Sequence, residues 1–278
     1  RLNGNGILNI NIYKSSKSLT EVNLNSLNIK EVHFMNKKDY VKEFISKLSN
    51  LDRSKSVSTV FNDFLTLSCC SLAQTVYRSK NLEQKYLSTI KTYTKEQAEE
   101  FSKLLAFLVL GLEQEPRDLL GQVFMSLNLV SQANGQYFTP YSVCKFMAEI
   151  NFAEIESFQN NQLITLSEPC CGSGALIIAF AQTLREHNIN YQQNLFVEAI
   201  DISEMCFKMT YIQLSLLGIP AKVVQGDSLS LKFQYVFYTP FYFLNGIEYK
   251  LKTQKLSEKK LVLEKEYKPN LSIQLSLF

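Results

Sequence analysis

The segment that most constrains this chain is a glycine-containing stretch between two apolar runs, Glu168-Pro-Cys-Cys-Gly-Ser-Gly174. Leu163–Leu166 precedes it and Ala175–Phe180 follows it, which predicts a strand, a tight turn and the start of a helix. Glycines let the backbone approach a ligand closely, and a helix N-terminus offers unpaired N–H groups. A nucleotide-like ligand suits such a turn. Ile177, however, occupies the position of the third glycine in the dinucleotide motif G-x-G-x-x-G.

Two more strand-like runs follow the turn, and each ends in an acidic residue. Leu195–Ile200 precedes Asp201, and Lys222–Gln225 leads through a glycine to Asp227. A helical pattern over Met205–Leu217 separates them, and alternation of strands and helices is typical of a parallel α/β sheet. The strand ends then share the carboxyl edge, where such sheets bind ligands.

A helical domain is predicted ahead of this sheet, over residues 36–133. Apolar residues recur at helical spacing in Val41–Leu48, and Thr94 followed by Gln97 predicts a capping box at a helix start. The preceding residues 1–35 are rich in Asn, Ser and Leu. They are interpreted either as a leader or disordered arm, or as containing a short strand at Ile7–Tyr13, where apolar and polar residues alternate.

The composition is typical of a globular cytoplasmic protein. Hydrophobic residues make up 46% of the chain and charged residues 20%, the net charge is +3, and no apolar run approaches the roughly 20 residues of a membrane helix. The six cysteines include two adjacent pairs and no C-x-x-C, which favours reduced thiols over disulfides. Neither histidine has a partner at ligand spacing, so we expect no metal site. The lack of a membrane-length apolar run predicts no membrane partner.

One loop before the sheet is aromatic and interrupts the helical pattern, Asn134-Gly-Gln-Tyr-Phe-Thr-Pro140. By itself it predicts either a lid over a ligand or an ordinary connection between helices. In chain order, this loop, the Glu168–Gly174 turn, Ala199-Ile-Asp201 and Gly226-Asp-Ser-Leu229 resemble the motifs of the N-6 adenine-specific DNA methyltransferases. The similarity is to the modification subunits of type I restriction systems and to a shorter branch on mobile elements.

The resemblance implies a Rossmann-like α/β sheet that binds S-adenosyl-L-methionine. Phe138, Thr139 and Pro140 would flank the methionine moiety, together with the turn around Glu168 and Gly172-Ser173-Gly174. Asp201 would hold the ribose, Ile202 would pack on the adenine and Asp227 would bind its amino group. The implied partners are DNA and a specificity subunit.

The sequence departs from the family pattern at the catalytic motif, which is Asn or Asp, then Pro-Pro and an aromatic residue after the fourth strand. That motif binds and stacks on an adenine flipped out of the duplex. After the apolar run Phe233–Phe237, this chain has Tyr238-Thr239-Pro240-Phe241. Proline and the aromatic residue are kept, whereas tyrosine replaces the hydrogen-bond acceptor. Few residues follow, so the sheet is expected to be abbreviated or completed by a partner.

The end of the chain carries a separate motif. A lysine-rich segment, residues 246–270, is interpreted as a flexible linker or a loosely formed helix. The tail, residues 271–278, ends in Gln274-Leu275-Ser276-Leu277-Phe278, which resembles the pentapeptide that docks on the bacterial DNA sliding clamp. Three apolar side chains fit a pocket and the glutamine adds a hydrogen bond. A chance match is the alternative in a chain rich in Leu, Ser and Gln.

Two functions are therefore expected for the methyltransferase-like domain, residues 134–245. The first is methyl transfer from S-adenosylmethionine to the exocyclic amino group of adenine in DNA, helped by the clamp. The alternative is a catalytically inactive module that binds the cofactor and interacts with DNA or the clamp. The departure from the family's catalytic motif at Tyr238-Thr239 is the feature that separates the two, because it favours the inactive module.

Overall fold

A computed structural model describes residues 39–129, 138–153 and 163–266, with side chains as far as residue 257. The first part is helical, as the sequence predicts. It consists of α1 (Tyr40–Leu51), α2 (Val57–Tyr77), α3 (Lys80–Ile90), α4 (Lys95–Gln114) and α5 (Leu119–Ser126). Residues 1–35, where an arm or a strand was expected, lie outside the described part.

Polar side chains fix where these helices begin. The Asp39 carboxylate accepts from the backbone N–H of Lys42 at the start of α1, and Ser56 does the same for α2. The capping box predicted from Thr94 and Gln97 is present at the start of α4. The predicted helix boundary is therefore confirmed at that residue.

The second part is an α/β unit, which confirms the expected fold class. Its elements are α6 (Tyr141–Ala153), β1 (Ile164–Glu168), α7 (Ala175–Glu186), α8 (Tyr191–Asn194), β2 (Leu195–Asp201), α9 (Glu204–Leu217), β3 (Ala221–Asp227), β4 (Lys232–Tyr238), α10 (Pro240–Leu244) and α11 (Ile247–Glu266). The strands form a four-stranded sheet in the order β1-β2-β3-β4.

The first three strands are parallel, and their register aligns their carboxyl ends. Glu168 of β1 pairs with Ala199 of β2, and Asp201 of β2 pairs with Gln225 of β3. The residues that follow these three strands therefore meet at one edge of the sheet, which we call the carboxyl edge. The opposite edge, where the parallel strands begin, is called the amino edge.

The fourth strand runs in the opposite direction. β4 pairs antiparallel with β3, so that Asp227 lies opposite Lys232 and Lys222 lies opposite Tyr238. A parallel β4 would have to begin at the amino edge, roughly 20 Å from Asp227. The connection from Asp227 to Lys232 spans at most about 18 Å even when fully extended. The short connection therefore gives a hairpin, and the last residue of β4 lies at the amino edge.

The helices and the sheet share one hydrophobic core. Its fully buried side chains come from both parts of the chain and include Phe61, Leu120, Ile177, Tyr211 and Val223. Burial of this kind of surface stabilises the fold by about 25 cal/mol per Å². The helical part is thus packed onto the sheet through apolar contacts.

Polar contacts reinforce the same interface. Lys208 of α9 is 4% exposed, and its ammonium donates to Asn62 Oδ1 and Thr66 Oγ1 of α2. The same ammonium lies 2.9 Å from a carboxylate oxygen of Glu204. A buried ammonium is costly unless it is paired, and Glu204, on the same helix, supplies the opposite charge. The two bonds to Asn62 and Thr66 hold α2 against α9.

The helix α11 covers most of the lysine-rich segment. No helix within the described ranges is both long enough and apolar enough to cross a membrane.

Candidate functional site

The glycine turn lies at the carboxyl edge, between β1 and α7. Gly172 has φ of +55° and Gly174 has φ of +92°, which is the left-handed region where a side chain is strained. The turn is fixed to the neighbouring strand, since the N–H of Cys171 donates to the carbonyl of Ile200 over 2.9 Å. Gly174 is the N-cap of α7 and provides no capping side chain, so the first N–H groups of this helix lack a side-chain acceptor.

Asp201, at the end of β2, is bonded directly to this turn. Its Oδ2 accepts from the N–H of Gly172 over 2.8 Å, and its Oδ1 accepts from the N–H of Ser203 over 2.8 Å. Burial raises the pKa of the Asp201 carboxyl, while these two N–H groups oppose that rise. Asp201, the residue expected to bind the ribose, is therefore in contact with the glycine turn.

Phe138 covers the turn from the other side. A Cβ added to Gly172 would lie 3.3 Å from the Phe138 ring, and that ring also packs on Phe124 at 5.1 Å between centroids. Thr139 and Pro140 are exposed beside it, and the Thr139 carbonyl accepts from the Cys144 thiol at the start of α6. The loop residues Asn134–Tyr137 lie outside the described ranges.

Other predicted residues line the same edge. Ile202 is 69% exposed directly after Asp201, so its side chain is accessible to a ligand. The Glu168 carboxylate accepts from the N–H of Cys170 over 3.3 Å. Glu168 is thus bonded within the turn, and Ile202 follows the residue that is bonded to it.

The Asp227 carboxylate forms bonds within its own turn. It accepts from the N–H groups of Leu229 and Ser230 and from the Ser230 hydroxyl. The Ser230 hydroxyl and these N–H groups hold the pKa of Asp227 below its usual value. A ligand that bonds to this side chain would share or replace those bonds.

Ser173 lies in the turn, but its hydroxyl is directed away from the carboxyl edge into the protein. It donates over 2.5 Å to Oδ2 of Asp118, and Gln213 of α9 donates to the carbonyl of Ser173. Sequence reasoning missed Asp118, Gln213 and Thr210, whose hydroxyl donates to the Gly172 carbonyl over 2.8 Å. Asp118 just before a helix, with Gly121 three residues later, is an N-cap pattern that sequence can show, but its contacts with distant residues are not visible there.

The predicted catalytic segment, Tyr238-Thr239-Pro240-Phe241, lies at the amino edge. Thr239 is fully buried there; its hydroxyl accepts from the N–H of Ala221 over 2.9 Å and donates to the carbonyl of Ile219 over 2.8 Å. β3 spans seven residues between this segment and Asp227, which is roughly 20 Å. The structure therefore does not bring this segment to the glycine turn.

The aromatic side chains of this segment are used in packing. The Tyr238 ring lies 4.4 Å from that of Tyr242, and Phe241 lies against Gly218 at the end of α9. The N–H of Tyr238 donates to the Tyr77 hydroxyl of α2. The segment thus joins the helical part to the sheet. The predicted clamp-binding residues Gln274–Phe278 lie outside the described part of the chain.

The chain is similar to a solved structure described as a class I S-adenosylmethionine-dependent methyltransferase from Listeria monocytogenes, with 16% identity and a TM-score of 0.37 over 68% of this chain and 54% of that one. It is also similar to the methyltransferase subunit of a type I restriction-modification system from Streptococcus thermophilus, with 12% identity and a TM-score of 0.36 over 65% of this chain and 55% of that one. The DrdV–DNA complex matches at 13% identity with a TM-score of 0.36, over 64% of this chain and 20% of that one.

The chain thus spans about half the length of the first two of these structures. No curated protein matches it. A family model does match, and it covers the helix α5, the turn, Asp201 and the sheet almost to the end of β4. The family whose model matches residues 117–236 is described as N-6 DNA Methylase.

Proposed function

We propose that this chain binds S-adenosyl-L-methionine at the carboxyl edge and acts as a DNA methyltransferase on the exocyclic amino group of adenine. The observation that carries the proposal is the contact of Gly172 with both Asp201 and Phe138. Residues from three separate segments, all within the matched residues 117–236, thereby meet at one turn. Their distance in the sequence makes this meeting a property of the fold.

Each group of residues has a role that its chemistry supports. The open N-terminus of α7 attracts the carboxylate of the methionine moiety, with Phe138, Thr139 and Pro140 beside it and Glu168 near its ammonium. Asp201 is already an acceptor and would take the ribose hydroxyls. The exposed Ile202 side chain offers an apolar surface to the adenine, and Asp227 an acceptor for its amino group. The cofactor supplies an electrophilic methyl group on a sulfonium centre.

A second candidate function is a cofactor-binding module that does not transfer the methyl group by itself. The position of Tyr238-Thr239-Pro240-Phe241 at the amino edge favours it. Methyl transfer needs the flipped base next to the methyl donor, and roughly 20 Å of β3 separates this segment from the turn. On this second proposal, the acceptor for the adenine amino group comes from a partner such as a restriction-modification subunit.

Two measurements test the function and separate the candidates. Calorimetric titration with S-adenosylmethionine should show saturable binding that Asp201→Ala abolishes or greatly weakens. Transfer of a radiolabelled methyl group to unmethylated plasmid DNA should then be measured with the same two proteins. Binding with transfer supports the enzyme, binding without transfer supports the module, and no binding contradicts both.

We also propose that Gln274–Phe278 docks on the bacterial sliding clamp, as its sequence pattern suggests. A tether of this kind raises the local concentration of clamp-bound DNA to roughly millimolar. Deletion of these five residues should abolish co-elution with the clamp, whereas Leu271→Ala, which lies outside the motif, should not. Unchanged co-elution of the deleted protein would mean that the match is accidental.

A further inference from the structure

Asp118 is a buried carboxylate that forms no ion pair with any residue the structure describes. It is 4% exposed, and it appears in none of the ion pairs found within the described ranges. It caps α5, where its Oδ1 accepts from the N–H of Gly121 over 2.9 Å. An exposed Asp could form the same cap, so the cap alone does not require this burial. The remaining bonds of the carboxylate explain its position.

Both carboxylate oxygens reach groups attached to the glycine turn. Oδ2 accepts from the Ser173 hydroxyl over 2.5 Å, and Oδ1 also accepts from Nε2 of Gln213 over 2.9 Å. The same Nε2 of Gln213 also donates to the Ser173 carbonyl over 2.8 Å. Oε1 of Gln213 accepts from the N–H of Leu120 over 3.1 Å. Gln213 is fully buried and every one of its polar groups is used. The hydroxyl and the carbonyl of Ser173 are therefore both held.

Gly121 provides independent evidence for this arrangement. A Cβ at this position would lie 1.9 Å from Oδ2 of Asp118 and 2.6 Å from Oγ of Ser173. Gly121 is the third residue of α5, in the first turn of the helix. The missing side chain leaves the space through which the bond from Asp118 to Ser173 passes.

We propose that Asp118 and Gln213 are positioning residues of the cofactor site. They fix Ser173, and through its two peptide units they set the orientation of Gly172 and Gly174. The helical part of the chain, through Asp118, is then a component of the site and not a separate unit. This inference rests on the proposed cofactor binding, and it adds residues that touch the turn without touching the ligand.

The variants should remove the network without removing the ligand contacts. Asp118→Ala and Gln213→Met should each raise the dissociation constant for S-adenosylmethionine by about tenfold, since buried groups are left unpaired and the turn loses its orientation. Asp118→Asn keeps an acceptor for Gly121 and Gln213, and should restore most of the affinity. Ser173→Ala removes the hydroxyl that donates to Asp118, and should weaken binding in the same direction.

The matched control is Asp63→Ala. Asp63 is a partly buried carboxylate of α2 that accepts from the Tyr93 hydroxyl over 2.6 Å and has no bond to the turn. It should change the thermal midpoint and leave the dissociation constant within about twofold. An equal loss of affinity in Asp63→Ala and Asp118→Ala would show a general effect of stability and would overturn the proposal.

A second readout does not depend on the cofactor. Hydrogen exchange of the peptide that contains residues 170–176 should speed up in Asp118→Ala and not in Asp63→Ala, in the absence of any ligand. If the wild-type protein bound no S-adenosylmethionine, the proposed function would fail while this comparison still tested the network. Unchanged exchange and affinity in a folded Asp118→Ala protein would overturn the inference.

Discussion

The carboxyl edge and the amino edge of the sheet carry motifs of similar apparent importance in the sequence, but the fold uses them differently. At the carboxyl edge, Gly172, Asp201 and Phe138 meet although they are far apart in the chain. At the amino edge, Tyr238, Thr239 and Phe241 are bonded and packed into the protein. A motif therefore predicts a site only when the direction of its strand brings it to the ligand edge.

The first prediction concerns the carboxyl edge and has the largest expected effect. Gly172→Val places a branched side chain at φ of +55° and against the Phe138 ring, so the turn cannot keep its shape. Binding of S-adenosylmethionine should become undetectable by calorimetry.

The control for this variant is Gly246→Val. Gly246 has a similar φ of +58°, but a Cβ there would meet no atom within 4 Å. It should lose a comparable amount of stability from backbone strain and still bind the cofactor. If both variants lost binding, strain and not the position of the turn would explain the result.

The second prediction concerns the amino edge. Thr239→Val keeps the shape of the side chain but leaves the N–H of Ala221 and the carbonyl of Ile219 without their partner. The free energy of unfolding should fall by about 1–3 kcal/mol in urea denaturation. The affinity for S-adenosylmethionine should stay unchanged. Thr165→Val, at an exposed position of β1, should change stability by no more than about 0.5 kcal/mol.

A pH series with Asp118→Asn sharpens the comparison further. Burial raises the pKa of the Asp118 carboxyl above the ordinary value of 3.8. Such a group stabilises the fold fully below 3.8, and this contribution is lost as the pH rises through the folded-state pKa. Asparagine has no such dependence, so the stability of Asp118→Asn relative to wild type should increase as the pH rises from about 4. If the difference in unfolding free energy between Asp118→Asn and wild type stayed constant across this pH range, the raised pKa of Asp118 would be contradicted.

Much of the carboxyl edge is predictable from the sequence because its features are local. Strand and helix periodicity gives β1 to β3, the glycine pair gives the turn, and parallel strands place Asp201 beside it. The network of Asp118 is not predictable in this way, because its bonds join residues up to 95 positions apart. Only its cap, with Gly121 three residues later, leaves a trace in the sequence.

The direction of β4 could have been predicted from the connection that precedes it. The motif after the strand resembles the family pattern, and that likeness suggested a place near the ligand. The connection from Asp227 to Lys232 is too short for a parallel strand, which normally needs a dozen or more residues. Loop length therefore outweighs motif likeness as evidence at this point of the chain.

The last prediction has the smallest expected effect on function. Tyr238→Asn restores the amide acceptor that the family motif has at this position. If this segment acted at the ligand edge, the change should increase methyl transfer to DNA. Because the backbone of Tyr238 is paired with Lys222 at the amino edge, an acceptor here lies roughly 20 Å from the turn and should add no transfer. The rate of radiolabel incorporation should equal that of the wild-type protein, while loss of the Tyr242 contact lowers only the thermal midpoint. A gain in transfer would mean that Tyr238–Phe241 reaches the carboxyl edge during catalysis, and it would restore this segment as the catalytic one.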